Sequence, residues 1–158
     1  MKKSVMYVTA ALFGIVIAIS VACCMMVVRV TDEGMEPAIT SGSIVLVNKV
    51  ANELNTGDIV AFRNNVYGEN GEGNILVRRV VAVSGDTVEI KDNMLYLNNR
   101  PYTDYMSQAA HMEPYAKRTL GEGEIFVLCD NRMLSMDSRD AAVSILSPDE
   151  CYGRVCFK

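Results

Sequence analysis

The sequence predicts a mostly β protein behind one N-terminal apolar helix. Two observations carry this. Residues Ser4 to Val28, SVMYVTAALFGIVIAISVACCMMVV, contain no charged side chain. After them comes a series of short stretches rich in β-branched and aromatic residues, each bounded by turn-forming residues.

The apolar run comes first. A helix rises about 1.5 Å per residue, and about 20 apolar residues cross a bilayer, so the run is long enough to span with some tilt. A cleavable signal peptide is the competing reading. Its apolar part is usually about 7–15 residues and ends at a small-residue site. Ala18-Ile19-Ser20 and Ser20-Val21-Ala22 imitate such a site, but both lie inside the run. The run is therefore read as an uncleaved anchor. Lys2 and Lys3 before it favour a cytoplasmic N-terminus. The expected layout is a cytoplasmic end at 1–3, a transmembrane helix at 4–28 and an extracytoplasmic β domain at 29–158. Arg29 then sits at the outer interface, and membrane lipid is an expected partner.

The β stretches follow in order: SIVLVNKV (43–50), DIVAFRNN (58–65), ILVRRVVAV (75–83), TVEIKDNMLYLNN (87–99), EIFVLCD (124–130) and YGRVCF (152–157). Turn signals separate them at Thr56-Gly57-Asp58, Ser84-Gly85-Asp86, Asp92-Asn93 and Gly121-Glu122-Gly123. Several are nearly continuous apolar runs, as strands buried on both faces require. NNVYGENGEGN (64–74) reads as a loop. RPYTDYMSQAAHMEPYAKRT (100–119) reads as a surface excursion.

Charge and cysteine usage exclude some functions. The chain has 15 Lys and Arg against 19 Asp and Glu, a net charge of -4. Two of those basic residues precede the apolar run, so the β part is more acidic still, which argues against a nucleic-acid partner. The five cysteines form no metal pattern, and no cofactor or metal is predicted. Cys23 and Cys24 lie in the apolar run. Cys151 and Cys156 are too far apart along one extended strand to bridge each other. A bridge from Cys129 to either stays open beside the reading as buried thiols. His111 is the sole histidine and lies in a polar stretch, which weakens any histidine-based triad.

Three blocks remain. They are Gly34-Met35-Glu36-Pro37 followed by SGSIVLVNKV, then GDIVAF (57–62) with VRRVVAVSGDTVEI (77–90), then CDNRMLSMDSR (129–139). In this order, behind an N-terminal anchor, they resemble type I signal peptidases across nearly the whole chain. The resemblance implies a signal-peptidase-like β ectodomain whose strands carry an extended substrate. It also implies a serine nucleophile and a lysine general base that cut secretory precursors at the outer membrane face. A lysine serves as base when burial lowers its pKa.

The resemblance places the nucleophile at Gly34 and the base at Arg78. Ser135 matches the serine that supports the lysine, and Asp32 stands where the family carries a small oxyanion-binding residue. Asp130, Asn131, Arg132, Asp137, Ser138 and Arg139 form the structural part of the third block. Glycine has no side chain to attack a carbonyl, and arginine stays protonated near neutral pH. A carboxylate at 32 opposes a developing oxyanion. Ser41 and Ser43 imitate a catalytic signature. Ser43, however, lies nine residues beyond Gly34, about 30 Å if extended, against the roughly 3 Å that a nucleophile–base pair needs. Cys129 replaces a usual glycine, and DAAVS after Arg139 lacks the usual Phe-Gly.

The expectation is a membrane-anchored, catalytically inactive homologue. It would bind exported polypeptides or assist surface-protein or pilus assembly in a Gram-positive-type bacterium, with Met35 and Ile39 lining peptide pockets or serving as core. The alternatives are an active type I signal peptidase using unexpected residues and a decaying paralogue without a role.

Overall fold

The computed structural model describes residues 2–51, 53–66, 73–106 and 110–157. Residues 67–72 of the predicted glycine and asparagine loop lie outside that set, as do 107–109 of the polar excursion.

The apolar run forms α1 (Lys2–Cys24), and its segment Met6–Cys24 is long and apolar enough to cross a membrane. The helix ends before the predicted limit of 28. Met25–Arg29 form the first strand, β1, which pairs antiparallel with β2 (Ile44–Asn48) from Met25↔Asn48 to Arg29↔Ile44. A short apolar run does not by itself distinguish helix from strand. Here the strand wins because β2 supplies a ladder for its backbone groups.

The remaining strands are β3 (Ile59–Asn64), β4 (Asn74–Ala82), β5 (Thr87–Lys91), β6 (Met94–Leu97), β7 (Arg100–Pro101), β8 (Tyr115–Thr119), β9 (Phe126–Leu128) and β10 (Cys151–Phe157). One antiparallel sheet runs β1-β2-β10-β3-β4-β9, and a second runs β7-β6-β5-β8. The predicted 87–99 stretch is a hairpin, β5–β6. Asp92 and Asn93 turn it with φ of 50° and 60°, the left-handed pair that a two-residue hairpin turn demands. β8 arises within the predicted surface excursion and is mostly exposed along its length.

The larger sheet is covered on both faces, as its apolar runs predicted. One face packs Val28, Val30, Met35, Ile39, Val45, Val47, Ile59, Ala61 and Val77 together. Another cluster joins Val60, Phe62, Leu76 and Val80 to Val143 and Leu146 of the segment after Arg139. A third cluster seats the small sheet against β4 and β9 through Val88, Ile90, Leu95, Ala82 and Phe126. Tyr115 meets Phe126 edge-on at 5.1 Å. Gly153 marks a bulge in β10 at φ 144°, where any Cβ would collide with the Asn48 carbonyl.

All five cysteines are free: Cys129 is buried, Cys151 half-buried and Cys156 exposed. The bridge left open for Cys129 is not made.

Candidate functional site

The segment after β1 turns back on itself across the larger sheet. Met35 (0 % exposed) and Ile39 (3 % exposed) anchor it by entering the core. Of the two readings left open for these side chains, pocket wall or core, their burial is that of core residues. Each fills the space between β1, β2 and β4, where burial of such a side chain contributes about 1.5–3 kcal/mol. Gly34 is held between them and the third block, its carbonyl accepting the Asn131 amide at 2.9 Å.

Arg78 lies on β4 and is fully buried. Its Nη1 donates to both carboxylate oxygens of Asp32, at 3.1 and 3.2 Å, and to its neighbour's Val77 carbonyl at 2.6 Å. Its Nε donates to the Met136 carbonyl at 2.7 Å. Asp32 also accepts the Gly34 amide at 2.7 Å. Gly34, Asp32 and Arg78, the three positions singled out by the resemblance, therefore form one contact. A Cβ placed on Gly34 would stand 2.6 Å from Asp32 Oδ1 and 2.9 Å from Arg78 Cζ. A serine there has no room while the ion pair persists.

Among the described residues no other nucleophile–base pair is assembled. Ser41 and Ser43 lie on the turn into β2, where the Ser41 amide reaches Glu36 and the Ser43 carbonyl accepts Val30. Among the described residues, neither hydroxyl has a hydrogen-bonded base. Lys49, Lys91 and Lys117 are all exposed, so none is desolvated as a lysine base requires. Ser135 is exposed, and Met136 rather than Ser135 meets Arg78. Cys129 sits near Arg78, but burial pushes its thiol up to about 12, so the nucleophilic thiolate is suppressed. His111 is exposed and contacts Glu113 at 3.2 Å. No metal-holding group of three acidic, His or Cys residues occurs among the described residues.

The rest of the third block ties strands together. Arg79 and Asp130 form a bidentate pair at 2.8 and 2.6 Å, and Arg79 also donates to the Gly57 carbonyl and lies 4.1 Å from the Tyr105 ring centroid. Asp137, fully buried, accepts the Cys129 amide and the Arg139 guanidinium. Arg139 in turn donates to the Arg132 and Leu134 carbonyls, closing the loop. Burial disfavours the Arg139 charge, yet Asp137 outweighs it and raises the pKa. Ser138 completes the join through Val127, exchanging two bonds at 3.0 Å. Arg132 is buried with no hydrogen bond from its guanidinium among the described residues, and that burial lowers its pKa.

Sequence reasoning missed two contributors. Met136 acts through its carbonyl, which no residue type advertises. Tyr105 comes from the polar excursion, where nothing marked it. Together with Pro37, Ala38, Arg79, Met106 and Asp130 it lines a hollow of about 230 Å³ beside the segment that follows β1.

Comparison with known proteins agrees with this architecture. The family model "Signal peptidase, peptidase S26" matches residues 2–158. Signal peptidase IB of Staphylococcus aureus (strain COL) is 29% identical over 151 residues, 82% of this chain and 74% of that one. Signal peptidase I T of Bacillus subtilis (strain 168) is 31% identical over 143 residues, 81% and 70% respectively. The crystal structure of a signal peptidase I from Enterococcus faecalis aligns with a TM-score of 0.51 at 25% identity, covering 67% of this chain and 99% of that chain. The family model spans residues 2–158, so the chain belongs to the signal peptidase family, peptidase S26.

Proposed function

We propose that this signal peptidase I-like protein works without cutting: anchored in the membrane by α1 with its β domain outside, it binds an exported polypeptide such as a pilin-type chain. The observation that carries the first half is the Asp32–Arg78 ion pair. It occupies the volume that a nucleophile's side chain needs at position 34. It also holds a permanent cation where a base must accept a proton. Removing a catalytic serine alone costs about a millionfold in kcat, and here the base is gone as well.

The binding half rests on the hollow at Pro37, Ala38, Tyr105 and Met106, a mostly apolar recess floored by the Arg79–Asp130 pair, in a domain whose larger sheet ends in the edge strands β1 and β9. Such sites take extended polypeptides through backbone hydrogen bonds and small side-chain pockets. Membrane anchoring keeps the recess where exported chains emerge.

Two measurements test the two halves. Full-length protein in detergent, incubated with a secretory precursor, should give no product above a no-enzyme control. A photoreactive residue at Ala38 should crosslink exported precursors in cells more than one at Asp92 on the β5–β6 turn. Product formation overturns the first half. Equal crosslinking at the two positions overturns the second and leaves the paralogue without a role.

A further inference from the structure

Segment 30–34 lies against the first half of β4, joined to it through Thr31–Asn74 and Asp32–Arg78. β4 pairs with β3 along Asn74–Arg79, but with β9 only from Arg79 onward. Among the described residues its first half therefore has β3 on one side and no strand on the other. A free strand edge is a template for an added strand. Segment 30–34 comes within reach of it: the Thr31 and Asn74 side chains meet at 3.2 and 3.4 Å.

The free edge is already capped. Val80 directs its amide to Asp58 on the β3 side. Strand alternation then turns Arg79 and Val77 to the opposite side. The Val77 carbonyl, an acceptor that an incoming strand would use, is taken by Arg78 Nη1 at 2.6 Å. The same Nη1 reaches across to Asp32, and Nε is fastened to Met136. One guanidinium thus caps the strand edge, crosses to segment 30–34 and ties down the third block.

We propose that the Asp32–Arg78 ion pair is a latch holding segment 30–34 against the free half-edge of β4, so that an extended polypeptide enters there only when the pair separates. This deepens the binding reading and rests on it. Two features make the latch separable. Asp32 keeps 12 % of its side chain exposed, so its carboxylate stands at the water margin while Arg78 is fully enclosed. Arg78 Nη2 is buried without a partner, and an orphaned buried donor costs about 1–3 kcal/mol, which offsets part of what the closed state gains.

The test is amide hydrogen exchange on the full-length protein in lipid nanodiscs. Wild type is compared with Asp32→Asn and with the double variant Asp32→Asn/Arg78→Met. The double variant removes the pair without leaving a lone buried charge, so it carries the test if the single variant does not fold. Exchange in 30–37 and 74–78 should rise about tenfold, with the β5–β6 hairpin unchanged. A short photoreactive Ala-Val peptide should label 74–78 about tenfold more in the double variant. Unchanged exchange in both segments overturns the latch, as does an equal rise in the β5–β6 hairpin or equal peptide labelling. Precursor cleavage by the wild-type chain would sink the non-cleaving reading while leaving these exchange rates as they are.

Discussion

Asp32 and Gly34 are coupled by a single oxygen: Asp32 Oδ1 accepts the Gly34 amide at 2.7 Å and lies 2.6 Å from where a Gly34 side chain would begin. The positions that the resemblance assigns to the nucleophile and to the oxyanion side are therefore in direct contact. Arg78 completes this contact by neutralising the carboxylate.

Gly34→Ala should destabilise the protein by about 1–3 kcal/mol, the usual cost of overpacking a filled site. Chemical denaturation of the full-length protein measures this. A neutral effect would mean that the segment shifts freely away from Arg78.

The ion pair should show strong coupling in a double-mutant cycle. Asp32→Asn leaves the Arg78 charge buried and uncompensated, at a cost of about 3–5 kcal/mol. Adding Arg78→Met should recover part of that loss. Strict additivity of the two changes would contradict the contact.

Restoring peptidase chemistry should take three changes together. Gly34→Ser alone lacks a base, and Gly34→Ser/Arg78→Lys leaves Asp32 against the new side chain. Only with Asp32→Gly added does the serine gain both space and a cut-compatible charge. The expected ranking in a precursor-cleavage assay is triple variant above double, with the single at background. Equal activity of single and double would refute the role assigned to Arg78.

Cys129 should contribute stability that disappears in alkali. Its folded-state pKa, pushed up to about 12 by burial, exceeds its ordinary value of 9.0. The folded protein therefore holds this proton more tightly than the unfolded chain. The contribution is full below pH 9 and is lost as pH rises from there towards 12, by up to about 1.4 kcal/mol per pH unit. Cys129→Ala should flatten the stability decline over that window. At neutral pH, maleimide should label exposed Cys156 and spare Cys129 until unfolding.

Arg139→Ala should cost about 3–5 kcal/mol, because it strands the buried Asp137 carboxylate. Arg139→Lys should recover little, since a lysine cannot reproduce the forked bonds to Asp137 and to the Arg132 and Leu134 carbonyls. Thermal unfolding separates these outcomes.

Most central strands were legible because their burial is written as β-branched runs: Ile44–Asn48 and Ile59–Asn64 fall within predicted stretches, and Asn74–Ala82 begins one residue before its own. β8 was not, because Tyr115–Thr119 is a polar, mostly exposed edge whose strand character comes from pairing with β5. β1 was absorbed into the apolar run because Met25–Val28 look alike as helix or strand until β2 lies alongside.

The sequence by itself determined the chemistry available at the two positions that the resemblance assigns to nucleophile and base. Gly34 has no nucleophile and Arg78 no basic lone pair, and these are properties of residue types that no fold can supply. Tertiary structure alone decided what these positions contact. Asp32 and Arg78 stand 46 positions apart, and pairing them depends on how the chain returns across β4. The same distance effect hid the Met136 carbonyl's role and left open whether Met35 and Ile39 were core: contacts between remote segments arise from packing, which local pattern does not encode.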